Sequence, residues 1–227
     1  MALDEWLEAA LAGCSMTEEA RDYLMGRAAT PEIIEEWGIK VWDPPLEPCP
    51  QSNLHEHYGQ HFERFADKII YPLYSPKGTL LGFDSRHIDR KDDVRFLLPK
   101  SRWNPVWIGM PSAMQLLWAG KDVIIVEGRF DVYAMLHVAK DRAVLGSGPA
   151  HLSWKQVEYL ARWVKGHVYL AYDNDPTGKK GTEDALKNLD RRGVSCSQLR
   201  YGKPQDDPGL IWDRGGVQTL HEAFPYL

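Results

Sequence analysis

Residues Val123–Asp131 read V-I-I-V-E-G-R-F-D, and the rest of the chain is organised around them. Four β-branched apolar residues without polar alternation predict a strand buried on both faces, as in a parallel sheet. The run stops on Glu127-Gly128, and Asp131 follows in the expected first turn of a helix. Ligands of open α/β sheets sit beyond the carboxyl ends of the strands, so an acid there faces a site. A second apolar run, His167–Ala171, ends the same way in Tyr172-Asp173-Asn174-Asp175-Pro176-Thr177-Gly178. Asp206-Asp207 follows the last predicted strand. One aspartate at such a place commonly caps a helix, but three acidic groups of this kind together suit a divalent cation.

The elements around this stretch alternate. Helices are predicted over Pro111–Ala119, Phe130–Ala139, Trp154–Val164 (Ser153 as N-cap) and Lys179–Arg192, with strands at Ala143–Leu145 and Ser195–Tyr201. The order predicts a small parallel sheet flanked by helices. Asp207–Leu227 reads as two short helices divided at Gly215-Gly216. Gly128, Gly146 and Gly148 would let backbone approach a phosphate, although a lone G-x-G also simply turns a chain. Lys179 and Lys180 read as triphosphate contacts or as a solvated helix face. Neither G-x-x-x-x-G-K-[ST] nor G-x-S-x-G occurs, which excludes a P-loop and a serine-hydrolase elbow.

The upstream half is mixed. Leu3–Ala12 places Leu3, Trp6, Leu7 and Leu11 at helical spacing. Thr17 and Thr30 stand as N-caps before Glu18–Arg27 and Pro31–Trp37, the latter with Pro31 at the first helical position. Four prolines between Asp43 and Asn53 forbid regular structure there. Cys49 with His55, His57 and His61 fits no common structural zinc spacing. Lys68–Tyr74 and Thr79–Phe83 form a hairpin around Ser75-Pro76-Lys77-Gly78, and Arg95–Arg102 reads as a further basic strand.

The 227 residues, 44% hydrophobic and 26% charged, suit one compact α/β unit or two small domains. No apolar run reaches the ~20 residues that span a bilayer, and M-A-L-D-E-W has no basic leader region. Three scattered cysteines suggest a reducing, cytoplasmic setting. The net charge of −5 is unevenly spread: residues 1–63 carry 3 Lys and Arg against 13 Asp and Glu, the remainder 24 against 19. The remainder can therefore present positive surface to phosphates despite its clustered acids.

E-G-R-F-D, D-N-D-P-T-G and Q-D-D-P, about 45 and about 30 residues apart, resemble the toprim signature shared by DnaG-type primases, topoisomerases and some nucleases. Y-L-M-G-R-A-A-T-P-E-I-I-E-E-W-G-I resembles the opening helices of the primase core, and the hairpin and Arg95–Arg102 resemble its basic strands, without that family's asparagine-serine-proline. The resemblance runs from about Ala20 to Trp212. It implies a toprim-type parallel sheet preceded by a mixed α+β subdomain, with residues 1–118 as primase core, 119–205 as toprim domain and 206–227 as a helical segment bearing the third acidic motif.

The resemblance also implies roles. Glu127 would be the general acid/base and also offer an oxygen to the metal; Asp173 and Asp175 would hold Mg²⁺ or Mn²⁺, with Asp131 and Asp206 or Asp207 completing the set. The family's further aspartate, two residues after the first in the third motif, corresponds here to Gly209 if Asp207 is the first. Arg86, Arg95, Lys100 and Arg102, with Lys179 and the three glycines, would hold template or nucleotide phosphates. The activity implied is RNA primer synthesis from NTPs on single-stranded DNA. This sequence lacks the family's zinc ribbon and helicase-binding region, so a zinc-bearing module or a helicase is expected in trans. A stand-alone core of phage or plasmid type, an excised core and an inactive derivative all fit. The rivals are a toprim nuclease and a non-catalytic single-strand-binding module.

Overall fold

The structure, a computed structural model, describes residues 3–43, 65–89, 96–97 and 105–227. They fall into two compact units, Met1–Met25 with Pro31–Asn104, and Gly26–Thr30 with Pro105–Leu227.

The first unit opens with helices α1 (Leu3–Gly13), α2 (Glu18–Gly26) and α3 (Pro31–Glu36). In α1, Trp6, Leu7, Ala10 and Leu11 recur at helical spacing and are buried. Thr17 caps α2 by accepting from the Ala20 amide at 3.2 Å. Strands β1 (Lys40–Val41), β2 (Ile69–Tyr74), β3 (Leu80–Arg86) and β4 (Phe96–Leu97) form an antiparallel sheet in that order. The β2–β3 turn is closed by Ser75, whose amide donates to the Thr79 carbonyl at 2.8 Å and whose hydroxyl accepts from the Lys77 and Thr79 amides. Trp42, Phe65 and Phe83 pack ring on ring with centroids 5.1–6.3 Å apart, at the centre of this unit's core. β3 runs on from Phe83 through buried Asp84 and Ser85 and ends at Arg86. Burial of these polar residues is tolerated because each has a partner, the Ser85 amide donating to Asp84 Oδ1 at 2.8 Å.

The second unit is a four-stranded parallel sheet of β5 (Val123–Val126), β6 (Ala143–Gly146), β7 (Val168–Leu170) and β8 (Cys196–Gln198), in the order β6-β5-β7-β8. Helices α4 (Met110–Trp118), α5 (Arg129–Leu136), α6 (Trp154–Trp163), α7 (Pro176–Asp190) and α8 (Pro208–Ala223) accompany it. Every residue of β5 is fully buried. Val123 and Ile125 join Ala143, Leu145, Val168 and Leu170 in the core beneath Met110, Leu117, Val157, Leu160 and Leu189; Ile124 and Val126 are equally enclosed on the other face. Burial of side chains of this size stabilises by about 1.5–3 kcal/mol each. Ser153 and Gln156 form the capping box of α6.

This unit extends beyond residues 119–205 at both ends. Ile108 bridges Gly146 at the end of β6, and Met110, Ala113 and Leu117 of α4 belong to the sheet's core. At the other end, Ile211 and Leu220 of α8 are buried. α8 is two helices meeting at a kink, where Gly215 (φ −179°) and Gly216 (φ 64°) leave helical geometry. The Thr219 hydroxyl spans the break, between the Ile211 and Gly216 carbonyls at 2.7 and 2.8 Å.

Gly181 lies against the Ala150 carbonyl, so α7 packs on the 146–151 loop with no room for a Cβ. Gly181→Ala is expected to destabilise the fold by roughly 1–3 kcal/mol through overpacking. Gly26→Ala, where nothing lies within 4 Å, should be neutral or slightly stabilising. Urea-unfolding midpoints check both, and equal midpoints for the two variants would contradict the packing assigned to α7.

Candidate metal centre

The chain leaves β5 for β6 on one side and returns to β7 on the other. The crevice at this switch point, beyond the carboxyl ends of β5 and β7, is where ligands of open α/β sheets bind. Glu127 follows β5, and its Oε1 accepts from the Asp173 amide at 3.0 Å, joining the two strand ends. Asp131 occupies the third position of α5. Its Oδ2 accepts from the Gly128 amide at 2.8 Å and its Oδ1 from the Gly209 amide at 3.1 Å. Asp207 is the N-cap of α8, with Oδ1 accepting from the Leu210 amide at 2.6 Å. One carboxylate oxygen each from Asp131, Asp173 and Asp207 lie within 4.8 Å of one another.

Local chemistry explains how the backbone brings them there. Gly178, on the first turn of α7, lies against the Asp173 peptide with no space for a side chain. At Gly128 and Gly209, an added Cβ would come within 3.0 and 3.3 Å of the Asp131 oxygens. These glycines let backbone amides reach the carboxylates they serve.

The acids are both dehydrated and crowded. Burial pushes the Asp173 carboxyl up to about 7, and the Glu127, Asp207 and Asp175 charges add to the rise. Asp131 is raised by burial and then by Asp207 and Asp173. Glu127 is raised chiefly by burial, against the lowering effect of its bond from the Asp173 amide. Asp173 Oδ1 is buried without a hydrogen-bond partner. An orphaned carboxylate oxygen beside two further hard oxygen donors fits a divalent cation.

The remaining candidates are placed differently. Asp206 is turned out of the cluster: its Oδ1 is paired with Arg214 Nη2 at 2.6 Å and its Oδ2 accepts from the Lys203 amide at 2.7 Å. Asp175 caps α7, accepting from the Gly178 amide at 2.7 Å, and is outside the trio. Gly146 is short of space rather than open to a ligand, since an added Cβ would meet Ile108 at 3.0 Å and Val132 at 3.1 Å. Gly148 takes a left-handed turn (φ 93°) with nothing near it. Lys179 lines a cleft of about 660 Å³ with Asn174, Glu183, Arg200 and Tyr201. Arg86 is half-buried at the end of β3 in the other unit. Arg95, Lys100, Arg102, Cys49 and the histidines at 55, 57 and 61 lie outside the described residues.

Sequence reasoning passed over Asn174 and Arg214. Asn174 ties the D-N-D loop to the 203–206 turn: its amide donates to the Asp206 carbonyl at 2.8 Å, its carbonyl accepts from the Gln205 amide at 2.9 Å, and its Nδ2 donates to the Lys203 carbonyl at 2.8 Å. The middle letter of D-N-D was the available signal. Arg214 had none, because its partner is eight positions away in a loop.

For a carboxyl raised in the folded state, the native protein keeps a proton that the unfolded chain releases. Its stabilising effect is present at pH below about 4 and is lost as pH rises through about 7. In metal-free buffer the unfolding free energy should therefore fall from about pH 4 to about pH 7, and be lower at pH 8 than at pH 5. Asp173→Asn should weaken this dependence and raise stability at pH 8 by on the order of 1–2 kcal/mol, discounted for partial exposure. Urea midpoints at the two pH values, with EDTA, check it; an unaltered pH dependence in the variant would contradict the crowding.

The Toprim-like family matches residues 124–209. The DNA primase of Neisseria meningitidis serogroup A is 25% identical over 188 residues, 74% of this chain and 31% of that protein. The DNA primase of Deinococcus radiodurans is 24% identical over 221 residues, 88% of this chain and 38% of that protein. The chain thus spans about a third of the length of these relatives. Among solved structures, the RNA polymerase domain of Mycobacterium tuberculosis DnaG superposes with a TM-score of 0.72 at 18% identity, covering 99% of this chain and 82% of that one. A DnaG catalytic domain bound to single-stranded DNA gives 0.70 at 17%, covering 98% and 78%. The zinc-binding and RNA polymerase domains of Aquifex aeolicus primase give 0.69 at 19%, covering 97% and 58%. Residues 124–209 are thus similar to the Toprim-like family, and the chain has the fold of the DnaG-type primase catalytic core.

Proposed function

We propose that this chain is the catalytic core of a DNA primase, joining NTPs into short RNA primers on a single-stranded DNA template by metal-dependent nucleotidyl transfer. The observation that carries the reading is the convergence of Asp131, Asp173 and Asp207 at the sheet's switch point, beside Glu127. Phosphoryl chemistry asks a protein for positioning and charge neutralisation more than for covalent participation. Asp131, Asp173 and Asp207 would hold Mg²⁺ or Mn²⁺, which supplies charge neutralisation at the reacting phosphate. Glu127, with its carboxyl raised by burial, is suited to take the proton of the attacking 3′-hydroxyl. Its bond from the Asp173 amide keeps it directed at the cluster.

Arg86, with Arg95, Lys100 and Arg102 of the next stretch, is proposed to hold template phosphates. The DnaG structure bound to single-stranded DNA supports that partner, and the zinc-binding domain of the Aquifex aeolicus protein supports a zinc-bearing module as another. A replicative helicase is a further proposed partner, and the host cytoplasm the proposed setting. Among the described residues no helix is long and apolar enough to cross a membrane.

Labelled NTPs on single-stranded DNA with Mg²⁺ or Mn²⁺ test the reading. New oligoribonucleotide is the expected product, whereas cut template would indicate a toprim nuclease. Asp173→Asn and Asp207→Asn should each lower synthesis roughly 100-fold or more, equivalent to several kcal/mol of lost transition-state stabilisation. Asp175→Ala should also lose roughly 1 kcal/mol of stability, because it uncaps α7. Near-normal synthesis by either asparagine variant would sink the assignment of the acids.

A further inference from the structure

Asp206 and Asp207 are adjacent acids at the start of α8, yet they have opposite fates. Asp207 contributes an oxygen to the trio. The Asp206 carboxyl is almost fully buried, between Arg214 Nη2 at 2.6 Å and the Lys203 amide at 2.7 Å. Arg214 lies seven residues beyond Asp207, about two helical turns, and so comes back over the start of its own helix. It is the last residue before the Gly215–Gly216 kink.

The stretch of α8 that carries Arg214 is anchored on its own account. Trp212 stacks on His137 with ring centroids 4.5 Å apart. Asp213 pairs with Arg27 at 2.7 Å, and that guanidinium lies 5.2 Å from the centre of the Phe130 ring. The Gly209 amide reaches Asp131. The turn preceding Asp206 is held by Asn174. The Asp206–Arg214 pair joins these two anchored parts across the residue that must present its carboxylate to the cluster. It also gives the second acid an opposite charge away from a crevice already crowded with like charges, where another carboxylate would be repelled.

We propose that Arg214 is a positioning residue for the metal site: by holding the Asp206 carboxylate it sets the register in which the acid pair is presented, so that Asp207 faces Asp131 and Asp173. The inference rests on the metal reading above and assigns Arg214 no contact with substrate. Its consequence is a metal affinity that depends on a side chain outside the coordinating set.

Mn²⁺ titration followed by electron paramagnetic resonance of the free ion tests it, alongside urea unfolding of each variant. Arg214→Ala should weaken Mn²⁺ binding about tenfold or more, as expected for a group that orients a ligand. Arg214→Lys should recover most of the loss, since it restores the charge without the planar fork. In an Asp207→Asn background, Arg214→Ala should cause no further loss, the non-additivity of two residues acting through one ligand. Should Arg214→Ala not fold, Asp206→Asn carries the test. It keeps an acceptor for the Lys203 amide, removes the ion pair, and should weaken Mn²⁺ binding in the same direction. Unchanged affinity in folded Arg214→Ala or Asp206→Asn, or additive losses with Asp207→Asn, would overturn the positioning role and leave Arg214 a purely structural partner. If the unaltered chain binds no Mn²⁺, while Asp173→Asn and the parent behave alike, the metal reading itself fails and the positioning role with it.

Discussion

Mutual repulsion among carboxylates in a partly dehydrated crevice is the constraint on which the second unit depends. Two unit charges about 5 Å apart, in surroundings of intermediate dielectric, repel by roughly 3–4 kcal/mol. Asp131, Asp173 and Asp207 stand at such separations, with Glu127 beside them. The opposing contributions are individually smaller: about 0.3–1 kcal/mol from a nearby helix N-terminus and roughly 1.5–3 kcal/mol from a hydrogen bond to a charged group. Backbone amides of Gly128 and Gly209 serve Asp131, that of Leu210 serves Asp207, and that of Asp173 serves Glu127. Asp173 Oδ1 is served by none. Burial, with repulsion added to it, therefore wins over the amides, and the carboxyls of Asp131, Asp173 and Glu127 are all raised.

A site under that strain needs a scaffold that does not yield. The parallel sheet supplies it through a central strand buried on both faces and through close approaches only glycine permits. Gly178 sets α7 on the Asp173 peptide, and Gly181 sets the same helix on Ala150. These contacts fix the D-N-D loop from below, and Asn174 fixes it from the side. Packing and polar bonding thus converge on one loop. Its acids are presented by backbone geometry rather than by long flexible side chains, which lowers the entropy cost of holding them together.

The two acids of each pair divide their work. In D-N-D, Asp173 points into the crevice and Asp175 caps a helix; in Q-D-D-P, Asp207 points into the crevice and Asp206 is neutralised by Arg214. The Asp206 charge is thereby neutralised, whereas the Asp175 charge still bears on Asp173 and Glu127. Gly209, two residues beyond Asp207, contributes a backbone donor to Asp131 and no further charge.

Strand burial, helix caps and the α/β order were legible in the chain because they are local. A β-branched run such as Val123–Val126 has few alternatives to a buried strand, Ser153 with Gln156 announces a helix start, and Gly215-Gly216 interrupts one wherever it folds. The acidic strand ends were legible for the same reason, as charges that a parallel sheet leaves at its carboxyl edge. Burial of Asp84 and Ser85 at the end of β3 was not, since it depends on partners that only the fold supplies. Nor was the extent of the second unit, which Ile108 and Ile211 widen through contacts distant in sequence. The choice between Asp206 and Asp207 belongs to tertiary structure alone: two identical side chains in adjacent positions differ only in what surrounds them, and Arg214 reaches one of them because the chain between has become a helix.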